Sequence, residues 1–303
     1  MMDIVVVGSI NMDLVTNVKQ IPKKGETCLG YGLNRIPGGK GANQAVAAAR
    51  LGARVEMIGR LGDDAMADDL LKSLKINQVG VKNVIRTEEE TSGTALIMVE
   101  ETGDNVIVVI PGSNGKLDEE DIDQAIDTIR STKIVVTQLE IPIQTVKYVL
   151  EKAKAFNKYT ILNPAPAAYL EDDIIMNTDL LTPNETELEI LSGITIESEA
   201  DIIRAAKKLL KRGVKQLIVT LGDKGCMYID EKGHKSYSAL SVKAVDTTAA
   251  GDSFTAALAV ALCEGKSMDE VITFATKVGA LTVTKFGAQQ SLPYRLEVTQ
   301  REV

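Results

Sequence analysis

Ile4-Val5-Val6-Val7-Gly8-Ser9-Ile10-Asn11-Met12-Asp13 begins with four apolar residues in a row and no alternation. A strand with one face in water alternates polar and apolar side chains; an unbroken run suits a parallel strand covered on both faces. The same signature returns at 134–136, 161–162 and 217–219. Helical patterns lie between these runs, at 42–51, 65–74, 122–129, 145–156, 201–210 and 254–262. Strand and helix in alternation predict an α/β fold, a doubly wound and mostly parallel sheet flanked by helices.

Two stretches depart from that rhythm. Residues from about 14 to 35 and from about 91 to 111 hold strand patterns but no helix. Strands are expected at 14–18, 28–33, 94–99 and 106–110, with 100–105 as a turn, and they read as antiparallel. Together they predict a small discontinuous β-sheet lid on a single domain spanning 1–303. No internal repeat or dividing linker is visible.

Composition narrows the function. The 303 residues carry a net charge of −8, with four Phe, seven Tyr and no Trp. A nucleic-acid binder normally shows a basic stripe, and none is found, so no nucleic-acid partner is expected. An anionic ligand must then be met locally, by backbone N–H groups, a helix N-terminus or a metal. No apolar stretch is long enough to predict a membrane span. The cysteines at 28, 226 and 263 are far apart and odd in number, which argues against a disulfide framework or zinc site and for a reducing cytoplasm. The single histidine, His234, sits in polar turn composition, so Ser-His-Asp hydrolysis is not expected.

Three elements carry candidate chemistry. Asn11 and Asp13 follow the first strand, where ligands of parallel sheets gather, and at a spacing of two they face the same way. A carboxylate plus an amide can bind vicinal hydroxyls, although Asn and Asp are equally the residues of turns. Pro37-Gly38-Gly39-Lys40-Gly41-Ala42-Asn43-Gln44 opens a small-residue helix; its glycines permit close approach of backbone to a ligand, and Lys40 and Asn43 place donors at the helix N-terminus. It is not a Walker A loop. In Asp246-Thr247-Thr248-Ala249-Ala250-Gly251-Asp252-Ser253-Phe254, Thr248 is a suitable N-cap and 249–252 a first turn with free N–H groups, an anion hole for a transferring phosphoryl group. Asp252 can there take a proton from an incoming alcohol, or serve only to complement the helix dipole.

These motifs, with Gln138-Leu139-Glu140, the 162–167 segment Leu-Asn-Pro-Ala-Pro-Ala, Thr182-Pro183-Asn184-Glu185-Thr186-Glu187, Thr220-Leu221-Gly222 and Gly287-Ala288-Gln289, resemble the ribokinase family of sugar and nucleoside kinases over nearly the whole chain. The resemblance implies a sugar pocket lined by Asn11, Asp13, Gly39, Lys40, Gly41, Asn43 and Glu140. It implies Asp252 as general base and Ala249, Ala250 and Gly251 as the anion hole. It assigns Asn184, Thr220, Gly222, Asp223, Lys224, Gly225, Gly251 and Thr276 to ATP. Glu187 would organise Mg²⁺ through water, and Asp246, Thr248, Thr282, Lys285, Gly287 and Ser291 would form a K⁺ loop. Ser253 departs from the family's more usual Thr.

Asp13, Glu140 and Asp252 against a single Lys40 would repel a substrate already phosphorylated and favour a neutral polyol. Scarce aromatics argue against a nucleoside base. The expected reaction is therefore ATP-dependent phosphorylation of the primary hydroxyl of D-ribose, with deoxyribose, fructose or a nucleoside as alternatives. A sugar-binding protein without catalysis is a further one. A homodimer joined through the lid is also expected, because so small a sheet cannot bury both faces alone.

Overall fold

The computed structural model describes residues 2–102 and 104–300. Met1, residues 301–303 and Gly103, which falls in the expected 100–105 turn, lie outside them. The strands are β1 (Ile4–Val7), β2 (Asn11–Val18), β3 (Gly30–Gly38), β4 (Val55–Gly62), β5 (Gly80–Thr87), β6 (Gly93–Glu100), β7 (Asn105–Ile110), β8 (Ile134–Thr137), β9 (Tyr159–Leu162), β10 (Leu180–Leu181), β11 (Gln216–Thr220), β12 (Cys226–Asp230) and β13 (Gly233–Tyr237). The helices are α1 (Lys40–Arg50), α2 (Ala65–Ile76), α3 (Glu119–Gln124), α4 (Ile126–Ser131), α5 (Ile143–Ala155), α6 (Asp172–Met176), α7 (Glu185–Ser192), α8 (Glu199–Lys211), α9 (Ala250–Cys263), α10 (Met268–Thr282), α11 (Ala288–Ser291) and α12 (Arg295–Gln300).

The larger sheet has the order β13-β12-β11-β10-β9-β8-β1-β4-β5. From β5 to β11 neighbouring strands are parallel, and β12 and β13 close one edge antiparallel. Ile4 and Val6 enter an apolar layer with α1, α9 and α10; Val5 and Val7 enter a second layer with α5 and α8. All four are fully buried, which is why β1 carries no polar alternation.

The chain leaves β1 toward β4 and β5, then returns to the other side of β1 at β8. Strand order reverses between β1 and β8, and in open α/β sheets ligands bind beyond the strand ends at that point. Gly8-Ser9 and Gln138-Leu139-Glu140 emerge there.

A separate four-stranded sheet has the order β3-β2-β6-β7. Its outer pairs are antiparallel as expected, but β2 and β6 run parallel, from Asn11↔Gly93 to Val18↔Glu100. The long chain between them carries the crossover that parallel pairing needs. One other expectation changes. The 122–129 helix is two short helices, parted at Ala125, and the cysteine at 263, at the end of α9, is half-buried. No helix among the described residues is long and apolar enough to cross a membrane.

Candidate active site

The site is built where α1 meets the segment between β1 and β2. Gly39 has φ +86°, and a Cβ there would lie 2.6 Å from the Asn11 nitrogen. A Cβ on Gly38 would lie 2.2 Å from an Asp13 carboxylate oxygen. These glycines were expected to let backbone approach a ligand; instead they let the N-terminus of α1 approach its own chain. The closeness is useful. Gly41 N–H donates to Ser9 Oγ at 3.3 Å, Ser9 Oγ donates to Glu140 Oε2 at 2.5 Å, and Lys40 N–H donates to the same oxygen at 3.1 Å. Lys40 Nζ stands 3.9 Å from Glu140 Oε1, so Glu140 bridges the β8 end to α1.

Asn11 is fixed from outside the pocket. Asn114 Nδ2 donates to Asn11 Oδ1 at 2.7 Å, and Asn114 Oδ1 accepts from Ile10 N–H at 2.9 Å. Neither Asn114 nor Ser9 was singled out from the sequence, because their partners are more than a hundred residues away for each.

Asp252 lies in the first turn of α9 and is 6% exposed. Its Oδ2 accepts from Asn43 Nδ2 at 2.9 Å and its Oδ1 from Gln44 Nε2 at 3.1 Å. The expected Thr248 cap is not formed. Thr248 donates its hydroxyl to Asp246 Oδ1 at 2.6 Å, and α9 begins after Ala249, a left-handed residue at φ +61° with no side-chain cap. Ala250 N–H is taken by the Thr247 carbonyl at 3.2 Å, which removes it from the expected anion hole. The N–H groups of Gly251 and Asp252 make no hydrogen bond among the described residues, and Gly251 is exposed with open space where a Cβ would stand. Those two N–H groups at a helix N-terminus suit an anion.

Charge converges on this spot. Burial, reinforced by Glu140 and Asp252, pushes the Asp13 carboxyl up to about 7. Burial likewise raises Asp252, against the opposing pull of Lys40 and the Asn43 and Gln44 amides. Burial works against the charge on Lys40, yet Asp252, Glu140, Glu187 and Asp13 together hold its pKa above the ordinary lysine value. Lys40 is therefore a firm cation among four carboxylates.

The expected nucleotide and cation residues flank this centre. Asn184 caps α7, accepting from Glu187 N–H at 2.7 Å, while Glu187 Oε2 accepts from Asn184 N–H at 2.8 Å. Burial raises the Glu187 carboxyl. Asn184 pairs with Thr220 at the end of β11, and Gly222, Asp223 and Lys224 form an exposed 3₁₀ turn closed by Gly225 at φ +104°. The Thr276 hydroxyl is buried beside the Cys226 thiol. Asp246 Oδ2 accepts from Gly287 N–H at 2.9 Å, tying the segment before α9 to the turn before α11. Thr282 Oγ1 lies 2.9 Å from the Val278 carbonyl and 2.8 Å from Ser253 Oγ, within hydrogen-bond reach of both, Lys285 pairs with Glu297, and Ser291 donates to the Ala288 carbonyl. No cluster of three or more His, Cys, Asp or Glu side chains able to hold a metal occurs among the described residues.

A profile described as pfkB family carbohydrate kinase matches residues 1–295. The chain belongs to that family. The PfkB chain is 42% identical to the ribokinase of Bacillus subtilis, over 99% of each protein. It is 37% identical to the deoxyribokinase of Salmonella typhi, over 96% of each. Its fold superposes on the structure of Arabidopsis thaliana ribokinase complexed with ribose and ATP, with a TM-score of 0.91, 35% identity, and coverage of 99% of this chain and 98% of that one. In PfkB terms the chain is a carbohydrate kinase on the expected α/β fold.

Proposed function

We propose that the chain transfers the γ-phosphoryl group of ATP to the primary hydroxyl of D-ribose, giving ribose 5-phosphate and ADP. The observation that carries the reading is the meeting of Asp252, the free N–H groups of Gly251 and Asp252, and the hydroxyl-binding groups Asp13, Asn43 and Glu140 at the β1/β8 switch point. Asn11 and Asp13 would bind sugar hydroxyls, and Asn43 Oδ1, buried without a hydrogen-bond partner, adds an acceptor. Asp252 accepts the hydroxyl proton as general base. The first-turn N–H groups of α9 and the Lys40 cation stabilise charge on the transferring group.

Oxygen donors at Asn184 and Glu187 suit Mg²⁺, which retains waters and takes few protein carboxylates beside substrate phosphates. When bound, Mg²⁺ supplies neutralisation of phosphate charge. For K⁺, the Asp246 carboxylate is already satisfied by Thr248 and Gly287, so the surrounding segments would offer carbonyl oxygens while Asp246 holds them together. ATP consumption by the purified protein, across pentoses, hexoses and nucleosides, tests the reading. Ribose is expected to give the highest kcat/KM; a tenfold advantage for deoxyribose, the rival favoured by the deoxyribokinase relative, would replace it. The same assay should run faster in potassium than in a large organic cation at matched ionic strength, and equal rates would remove K⁺ from the scheme.

A homodimer and a cytoplasmic location complete the reading. Strand β7 is exposed along its whole length although it reads Asn-Val-Ile-Val-Val-Ile, and Tyr31 and Leu33 of β3 are exposed as well. An apolar edge strand of this kind invites pairing with a second copy. Light scattering at micromolar concentration is expected to give twice the 32.6 kDa chain mass; a mass near 32.6 kDa would refute the dimer. The unpaired cysteines suit a reducing compartment.

A further inference from the structure

Behind Asp252 lies a set of fully buried amides that no substrate can reach. Gln44 and Gln138 are both 0% exposed. Gln138 Nε2 donates to Gln44 Oε1 at 2.6 Å. Gln44 Nε2 in turn donates to Asp252 Oδ1 at 3.1 Å and to Asn163 Oδ1 at 3.2 Å. Asn163 is oriented by its own donation to the Thr182 carbonyl at 3.2 Å.

We propose that Gln44 is a positioning residue for Asp252, and that Gln138 fixes the direction in which Gln44 donates. The inference rests on Asp252 being the base. An amide can present either its oxygen or its nitrogen to a neighbour. With the oxygen turned toward Asp252, two acceptors would face each other in a buried site, at the cost of an unmade hydrogen bond. Asn163 Oδ1, held in place by the side chain's own donation to the Thr182 carbonyl, excludes that arrangement from one side, and Gln138 Nε2 engages the Gln44 oxygen from the other. Both hydrogens of Gln44 Nε2 and its one engaged oxygen are then committed, so the side chain has a single satisfied orientation.

The consequence for chemistry is directional. Asn43 holds one carboxylate oxygen and Gln44 the other, both from the first turns of α1. The carboxylate plane is thus set by α1 while its backbone belongs to α9. Donors to an ionised carboxylate favour its charged form, so the relay keeps the base ready to accept a proton against the effect of burial.

The test measures kcat, both KM values and the pH dependence of kcat at saturating sugar and ATP, where protonation of Asp13 no longer acts through sugar affinity, for Gln44→Met, Gln138→Met, Thr137→Val and Asp252→Asn, with thermal unfolding as a check of folding. Gln44→Met is expected to lower kcat about 10–100-fold, to leave KM for ATP within about twofold, and to move the acidic limb upward by about one pH unit. Gln138→Met should shift the limb in the same direction by less. Thr137→Val, which removes a buried unpartnered hydroxyl at the same strand end, should change neither. An acidic limb unmoved in both glutamine variants, even with a lower kcat, would leave them a packing role and overturn the proposal. Should Gln44→Met fail to fold, an unmoved limb in Gln138→Met alone overturns it. A silent Gln44→Met beside an inactive Asp252→Asn sinks only the relay, whereas an active Asp252→Asn sinks the assignment of the base.

Discussion

Asp252→Asn is expected to lower turnover by ~10²–10⁴-fold, the range of a lost general base. Asn keeps the shape of the side chain and its oxygen can still accept from one of the two amide donors. Its nitrogen, however, would face either Asn43 Nδ2 or Gln44 Nε2, donor against donor, and cannot take a proton. Folding and ATP binding should persist, because most residues proposed for ATP lie at the start of α7, the end of β11 and the turn beyond it, and Gly251 would serve through its backbone N–H, which the substitution leaves in place. Residual activity is also expected, since phosphoryl transfer depends heavily on positioning. Turnover within threefold of the parent protein would remove Asp252 from the role of base.

Asp13→Ala is expected to raise KM for the sugar about 10–100-fold with KM for ATP little changed. Hydrogen bonds to a charged group contribute about 1.5–3 kcal/mol each, and loss of a carboxylate from a crowded acidic site returns part of that by easing repulsion. The same residue sets a pH dependence. Its carboxyl is pushed up to about 7, so it is the ionised acceptor above that pH and becomes protonated as pH falls through it. Sugar affinity should therefore weaken on going from about 8 to about 6, and Asp13→Asn should flatten that profile. Unchanged KM in Asp13→Ala with normal folding would return Asp13 to a structural role.

How much of this was legible in the chain follows from burial and distance. β1, β8, β9 and β11 were readable because both of their faces are buried, leaving unbroken apolar runs. β4 hid behind Glu56 and Arg60, whose charges are met by Lys82 N–H and by Asp121. α10 hid behind its threonines, ordinarily poor helix formers, two of which return a hydroxyl bond to the preceding turn, Thr273 to Asp269 and Thr282 to Val278. Asp13, Lys40, Asn43, Glu140 and Asp252 were visible as polar residues at motif positions, and the fold brings them together. Gln44, Gln138 and Asn163 stood inside quoted motifs without a role, because their bonds join residues roughly a hundred positions apart. The direction of β2 relative to β6 was illegible for another reason: alternation marks a face and carries no polarity.

Strand β2 begins at Asn11, with only Gly8, Ser9 and Ile10 between it and the end of β1, and continues to Val18 inside the smaller sheet. Asn11 and Asp13, the residues proposed to face the sugar, thus share one strand with the cover at its far end, although its pairing with β3 shifts between Val15 and Asn17. A swing of the smaller sheet would pull through β2 against the tie between Asn11 and Asn114, and a sugar gripped by Asp13 is expected to add to that hold. Capture and closure become a single equilibrium, in which apparent affinity is the intrinsic affinity scaled by the fraction of molecules already shut. The expected consequence is that the acceptor sugar, rather than the nucleotide, favours the closed enzyme; product-inhibition kinetics with the sugar binding first would bear that out, and random binding would remove it.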